Sequence, residues 1–590
     1  MDCSYGMAGH SDGPFTPISV PNRDLPYQWY WKKYGRGFQD TRLIPGRDRF
    51  PLIARVGHVA VGTLFGGEYL SRDNVNGSDA NEKGNYGTHA WSNVTMAQGK
   101  KLRLSTRLWT GRDFDWTRDP LDAVGQSMGS AKDPSGAHIV ALEAAHSAWW
   151  GAYYAKSSIT MNTKNRRLEA FWYGAQYMWA TSSKANWTAH MPPAGLWLNH
   201  YTGSDYNWPG YTTDLNTQAP YWAIYSSNHP EIAMPMYQLA EDFIPPGQML
   251  STWAIGCPGV LFPVEIGARG AMRLETDQGI RSNSLLQAIN YIQHWEHTLD
   301  EEWLRNVGWT FVVEVADFWD CYLHRVNHTD GTYEYMDLND CVYEICSDND
   351  YPVREGMSVP WVNYNMQHNP INALAMLRRF YPYMIEWSAL LGKVSDARRA
   401  QWQDIVDHLR QFPTTKDPYN SSKVIFADFE LSDFSSPGPP PLHDRQLMGV
   451  AQAIYPGCQA ERSMANRTLF EIAVNTMDYL QWYNMSSDGQ AVMYTISGRI
   501  GANQTLIFPV WVNYNLFRAP QGRDKWFMNN LMMLPQIGSA MMQYVNELMV
   551  QSHEPFVRIY PAHFSDTGVE GGPPRRPRGS PSGYGPSGEA

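Results

Sequence analysis

Apolar and polar positions change their rhythm once along the chain. Before about residue 145 no helical period is sustained, and turn-forming Gly, Pro, Asn and Asp occur throughout. Within that region Pro51 to Gly67 alternates in places and predicts a pair of strands, and Lys101 to Trp109 is a further strand candidate. From Ala141 the period becomes helical. Leu285, Ala288, Ile289, Ile292 and Trp295 follow the i, i+3, i+4, i+7 spacing of an amphipathic helix, as do Leu469, Ile472, Ala473, Thr476 and Leu480. Ile537, Met541, Val545 and Leu548 repeat it, and 166–183, 301–325, 368–391 and 395–411 predict further long helices. About ten to twelve helices joined by long polar, aromatic loops describe a mainly α chain. No fixed repeat of the solenoid kind is present. A closing helix after about residue 525 leads into the strand-like run Phe556 to Tyr560. Residues 566–590 are Gly, Pro, Ser and Arg without apolar period and are expected to be disordered. The expected division is 1–145, 146–524, 525–565 and 566–590.

One loop stands out among those connections. Between 194 and 222 aromatic rings (Trp197, Tyr201, Trp208, Tyr211, Trp222) alternate with hydrogen-bonding side chains (Asn199, Asp205, Asp214, Asn216, Gln218), and Pro209-Gly210 breaks any long helix. Rings with short polar groups suit a sugar, whose C–H faces stack while its hydroxyls need directed donors and acceptors. A Trp-rich connection packed only for stability has the same composition.

Composition narrows the classes. The 24 Trp and 34 Tyr fit either a carbohydrate site or a large aromatic core. A net charge of −11 and a pI near 5.9 lack the basic face that a nucleic-acid binder needs. No run of 18 apolar residues offers a membrane span. The six Cys form no Cys-x-x-Cys metal pattern, although Cys341 and Cys346 could bridge across a turn in an oxidising compartment. No His/Cys/Asp cluster has ligand spacing, so neither a metal nor an organic cofactor is expected. Met1 to Pro14 is polar and glycine-rich, unlike a secretory signal. Yet eight N-glycosylation sequons occur, at Asn76, Asn93, Asn186, Asn327, Asn420, Asn466, Asn484 and Asn503, where chance gives about four. They point to an extracellular protein, with a chain shortened at its start as one account of the missing signal.

The order of residues carries more than their kinds. Asp214-Leu215-Asn216-Thr217-Gln218-Ala219-Pro220-Tyr221-Trp222, after Gly195-Leu196-Trp197, resembles the Asn-x-Asn-x-Gln-x-x-Tyr-Trp segment of the inverting α-L-fucosidase family of glycoside hydrolases. Gln551-Ser552-His553-Glu554, followed by Pro561-Ala562, is similar to a late Gln-Ser-His-Asp segment of that family. Two letters depart: Asp214 stands for the first Asn and Glu554 for the Asp. The resemblance spans roughly residues 145 to 562. It implies an (α/α)6 toroid with an incomplete N-terminal β-sandwich region and a small C-terminal β element, acting on a carbohydrate.

Inversion needs an acid for the leaving oxygen and a base for the attacking water, about 6.5–9.5 Å apart. By the resemblance Glu344 is the expected acid, ahead of Glu355 and Glu334. Glu554 is the expected base, with Asp214 and Asn216 orienting the water. Trp197, Trp208, Tyr211, Thr212, Gln218, Trp222 and His553 are the expected sugar contacts. The expected activity is therefore that of a glycosidase. A silent relative that binds glycans, and a helical interaction protein whose aromatics are all core, remain as alternatives.

Overall fold

The computed structural model describes chiefly residues 137–161, 166–185, 211–266, 280–341, 367–430, 449–460, 466–480, 490–513 and 534–561, with short strands elsewhere. The chain divides into two compact units that meet in sequence at Ala155 and Lys156. The first holds the strands between Tyr30 and Arg103 and the helix α1 (Ala137–Tyr154). Its central feature is the predicted strand pair: Arg49–Val56 runs antiparallel to Val59–Gly66, and Leu102–Arg103 adds to the free side of the former. The rest of 101–109 lies outside the described residues. The helix α1 crosses residue 145, where the sequence suggested a border.

The second unit is mainly helical. Its helices are α2 (Arg166–Ser182), α3 (Trp222–Ser226), α4 (Met234–Asp242), α5 (Ile244–Ala254), α6 (Asn283–Thr298), α7 (Trp309–Tyr322) and α8 (Ile371–Leu391). They continue as α9 (Asp396–His408), α10 (Gly449–Ile454), α11 (Arg467–Leu480), α12 (Gln490–Ile500), α13 (Gln504–Asn513) and α14 (Leu534–Met549). Local chemistry sets several ends. Asn369, before Pro370, lies at φ +51 outside the helical region, so α8 starts after Pro370, later than the periodicity suggested, and Gly392 closes it at φ +64. Ser395 caps α9 by accepting from the Arg398 N–H. The single helix expected over 301–325 is instead a short turn at Glu301–Trp303, a π-turn over Leu304–Gly308, and then α7. At Gly308 an added Cβ would lie 3.1–3.3 Å from Leu304 and Trp303, so the chain passes close to itself there.

Six of these helices contact one another in a closed circuit: α3 on α6, α6 on α8, α8 on α10, α10 on α12, α12 on α14, and α14 back on α3. The helices α2, α7, α9, α11 and α13 pack against members of that circuit. Residue pairs show that the six run in the same direction. On α6 and α8, Asn372 Nδ2 donates to Ser282 Oγ at one end (3.2 Å), while Arg379 reaches Glu296 farther along (2.7 Å). On α14 and α3, Ser539 Oγ donates to the Ala219 carbonyl (2.9 Å) and Asn546 Nδ2 to Ser227 Oγ (3.0 Å). On α12 and α14, Tyr494 meets Tyr544 and Arg499 meets Glu547. The helix that intervenes between successive members returns the chain, so the N-terminal ends gather at one pole and the C-terminal ends at the other.

Aromatics fill the interior. Trp179, Trp319, Trp387, Trp402 and Trp511 are fully buried, so much of the Trp content serves packing. A Cys257–Cys321 disulfide, unforeseen in the sequence, ties the segment after α5 to the end of α7. The C-terminal β element is the antiparallel pair Val550–Gln551 and Arg558–Ile559. Within the tail expected to be disordered, Val569–Glu570 pairs antiparallel with Thr160–Met161, since a two-residue ladder needs no apolar period. The remainder of that tail lies outside the described residues.

Candidate active site

The N-terminal pole collects acidic side chains from segments far apart in sequence. The stretch 211–222 enters α3 through a tight turn in which the Thr217 N–H donates to the Thr212 carbonyl and the Ala219 N–H to that of Leu215. Gln218 is fully buried and spends its amide on the Thr213 carbonyl, which locks the turn. Tyr211–Thr212 pairs with Glu265–Ile266, and the Thr213 N–H donates to Val264 (2.7 Å). Asp214 and Asn216 are thereby held in a buried turn at the head of the circuit, 2% and 3% exposed.

Val264, Ile280 and Cys341 form one small apolar cluster, which sets this turn beside a second acidic segment. There Leu338–Asp340 pairs with Gln367–His368, and His368 exchanges backbone hydrogen bonds with Glu430. Three short extended segments thus lie side by side in front of α8. The Ile371 N–H donates to the Asp428 carbonyl, and the Asn369 N–H to that of Asp337 (2.7 Å). The carboxylate of Asp340 accepts from the backbone N–H of Arg281 (2.7 Å) and of Cys341 (2.6 Å). Cys341 is itself disulfide-bonded.

Burial decides the protonation of these groups. Asp337 and Asp340 are both wholly buried and close enough to repel. Burial, reinforced by the charge of Asp340, drives Asp337 well above the ordinary carboxyl range. Asp340 is pushed up to about 6 by burial, against the backbone N–H groups and the Arg281 charge. Asp428 stands on the neighbouring segment and accepts from the Val450 N–H at the start of α10. Burial outweighs that one donor and pushes Asp428 up to about 7, and its Oδ1 has no hydrogen-bond partner among the described residues. A carboxyl that is half protonated at neutral pH can give a proton to a leaving oxygen.

The late motif sits elsewhere. Asn546 is level with the end of α3, whereas Ser539 is level with its start, so α14 leads away from Asp214. Glu547 lies eight residues past Ser539, roughly 12 Å farther along the helix axis at 1.5 Å per residue. His553 Nδ1 is 3.8 Å from Glu547, and Glu554 is ion-paired with Arg558 (2.7 Å) next to Arg462. Glu554 and His553 therefore belong to the C-terminal pole. The expected sharing of one water between Glu554 and Asp214 is corrected, because the direction of α14 separates them. His553, expected as a sugar contact, lies at that same pole.

The expected sugar contacts divide further. Trp222 is buried at 2% exposure, donates from Nε1 to Asn290 Oδ1 (3.1 Å) and meets Tyr455 edge to face, so it is a core ring with no face to offer. Gln218 holds the turn and is corrected in the same way. Thr212 is buried in its strand pair and Tyr211 is half-buried. Trp197, Trp208, Glu344 and Glu355 lie outside the described residues. Glu334 is engaged by Arg410 (2.7 Å) and His328. Asp337, Asp340 and Asp428 were not singled out as chemistry in the sequence. The first two lie inside Tyr333–Glu344, where motif spacing favoured Glu344, and Asp428 lies in no motif at all.

The C-terminal pole differs in kind: its charges are paired off. Arg379 grips both oxygens of Glu296 (2.7 Å each), to which Tyr383 also donates. Arg499 donates to Glu547 (2.8 Å), as does Gln543, and stacks over Tyr455. These pairs join neighbours in the circuit.

Residues 153–422 match the glycosyl hydrolase family 95 catalytic domain. The matched span contains Asp214, Asn216, Asp337, Asp340 and the α6–α8 contact; Asp428 lies six residues past its end, and Glu554 is far outside it. No curated protein sequence matches the chain. Among solved structures, a chain described as a kojibiose phosphorylase from human microbiome is similar at 12% identity and a TM-score of 0.43. That likeness takes in 70% of this chain and 59% of that one, and is too loose to bear on function. With the family 95 match, the mainly helical architecture is consistent with an α/α toroid glycoside hydrolase. Among the described residues no group of three His, Cys, Asp or Glu is placed to hold a metal.

Proposed function

We propose that the chain is a glycoside hydrolase of the inverting kind, built on an (α/α)6 toroid whose inner ring is the circuit of six parallel helices. The reading rests on one observation: buried carboxyl groups gather where the N-terminal ends of that ring meet, within and beside the span that matches family 95. Asp214 is the base. It stands where the resembled family carries Asn, and since Glu554 is at the other pole, the acidic letter supplies locally what a distant carboxylate supplies in the expected scheme. Asn216 orients the same water. Asp428 is the described carboxyl best suited to protonate the leaving oxygen, with Asp337 and Asp340 holding the segment beside it. Glu344, four residues past Asp340, is the other candidate for that proton. The substrate is a carbohydrate, and α-L-fucosides are the first to test because the resemblance names them.

A panel of aryl glycosides, led by the α-L-fucoside, tests the activity. Nuclear magnetic resonance of the first-formed product reads the stereochemistry. Inverted configuration is expected; a retained configuration overturns the mechanism, and no turnover on any glycoside overturns the activity. Asp428→Asn and Glu344→Gln, assayed with activated and unactivated leaving groups, separate the two acids. The variant rescued by an activated leaving group has lost the proton donor.

A further inference from the structure

The asparagines of the second unit fall into two populations, and the division follows the sequons. Four sequon asparagines have described side chains, Asn327, Asn420, Asn466 and Asn503, and all four are exposed. Of the nine other described asparagines (216, 228, 283, 290, 306, 369, 372, 475 and 546), only Asn306 is exposed. Among the described asparagines, those outside the sequons are buried or half-buried but for Asn306, so a motif scattered over these positions without purpose would fall largely on covered ones.

Six of the nine other amide nitrogens are spent, whereas that of buried Asn283 has no hydrogen-bond partner among the described residues. Asn228, Asn290, Asn369, Asn372, Asn475 and Asn546 each donate from Nδ2 to another group. The sequon side chains are engaged through oxygen instead. Asn420 Oδ1 accepts from the Ser422 N–H (3.2 Å) and hydroxyl (2.7 Å), and Asn503 Oδ1 accepts from the Thr505 N–H (3.1 Å) and hydroxyl. Asn466 Oδ1 accepts from the Leu469 N–H as it opens α11 (3.1 Å). None of the four has a hydrogen bond from Nδ2 among the described residues. The hydroxyl residues that complete the motifs, Thr329, Ser422, Thr468 and Thr505, are exposed as well. An N-linked glycan forms its bond at Nδ2, is bulky, and can be carried only where that nitrogen faces solvent. The Cys257–Cys321 disulfide adds an independent mark of an oxidising compartment.

We infer that Asn327, Asn420, Asn466 and Asn503 carry N-linked glycans, and that the chain therefore passes through a secretory compartment. The glycosidic activity proposed above plays no part in this.

The test is peptide mapping of the full-length protein isolated from its source organism. The protein is digested, treated with peptide N-glycosidase in heavy-oxygen water, and read by mass spectrometry. Conversion of each of the four asparagines to heavy-oxygen Asp is expected. Recovery of the four peptides unmodified before enzyme treatment overturns the proposal. A second arm directs the chain into a eukaryotic secretory host with an added signal. Thr329→Ala, Ser422→Ala, Thr468→Ala and Thr505→Ala should each remove one glycan-sized mass step without lowering the yield. A secreted parent that shows no such steps would refute the accessibility on which the inference stands.

Discussion

Asp428 is held between two opposed influences, and the stronger one can be measured. Burial lifts its pKa from 3.8 to about 7, while the Val450 N–H pulls the other way. Because the folded value exceeds the unfolded one, the neutral group's contribution is fully present below about pH 4 and is lost as pH rises to about 7. At 1.36 kcal/mol per unit the whole swing is about 4 kcal/mol. Asp428→Asn should flatten the stability curve over that window, so its urea midpoint relative to the parent improves from pH 4 to pH 8. Parallel curves for the two proteins would show that Asp428 ionises freely in the fold. A second expectation concerns the base. Asp214→Asn should lower turnover on the order of 10²–10⁴-fold with KM little changed, and Glu554→Gln should leave turnover within a few-fold. The reverse pattern would return the base to the late motif. Residue letters alone had paired Asp214 with Glu554, since a motif records order along the chain and not the direction a helix takes between its parts.

At the scale of elements, much was legible. The helical period located α6, α8, α9, α11 and α14, and the alternation at 51–67 located the strand pair of the first unit. Only the start of α8 moved, to the residue after Pro370, while Gly392 ends it where the period does. The short circuit members α3 and α10 offered little to read, being five and six residues long, below the length at which an apolar stripe shows its period. Nor could a period show that Asp337, Asp340 and Asp428 converge, because their alignment depends on both segments pairing with 367–368, about 30 and 60 residues away. The helix ends at the C-terminal pole make their own prediction. Arg499→Ala strands the carboxylate of Glu547 in a pair whose side chains are each only 6% exposed, so a loss of about 3–5 kcal/mol is expected. Replacing both by apolar residues of similar volume should cost far less. Equal losses for the single and double variants, measured by urea unfolding, would mean that packing rather than charge sets the effect.

For the whole molecule, closure matters more than any one contact. The Cys257–Cys321 bond encloses a separation of 64 residues, and restricting the unfolded chain that far is worth about 4 kcal/mol by loop entropy. Thermal melts of the parent and of the Cys257→Ser, Cys321→Ser double variant, both without reductant so that the bond of Cys341 is kept, should therefore differ in midpoint. A double variant that melts with the parent would show that the unfolded chain gains no freedom when the link is cut.

Because the six ring helices share one direction, the proposed function gives the ring a working end and a holding end, and these are spelled by different letters. On that proposal, substitutions before the helices chiefly alter what is recognised, and substitutions at their far ends chiefly alter whether the ring survives. Selection for a new sugar could then redraft the first set while inheriting the second intact, and a library confined to the connections entering α3, α8 and α10 should return variants that lose or change activity yet melt with the parent.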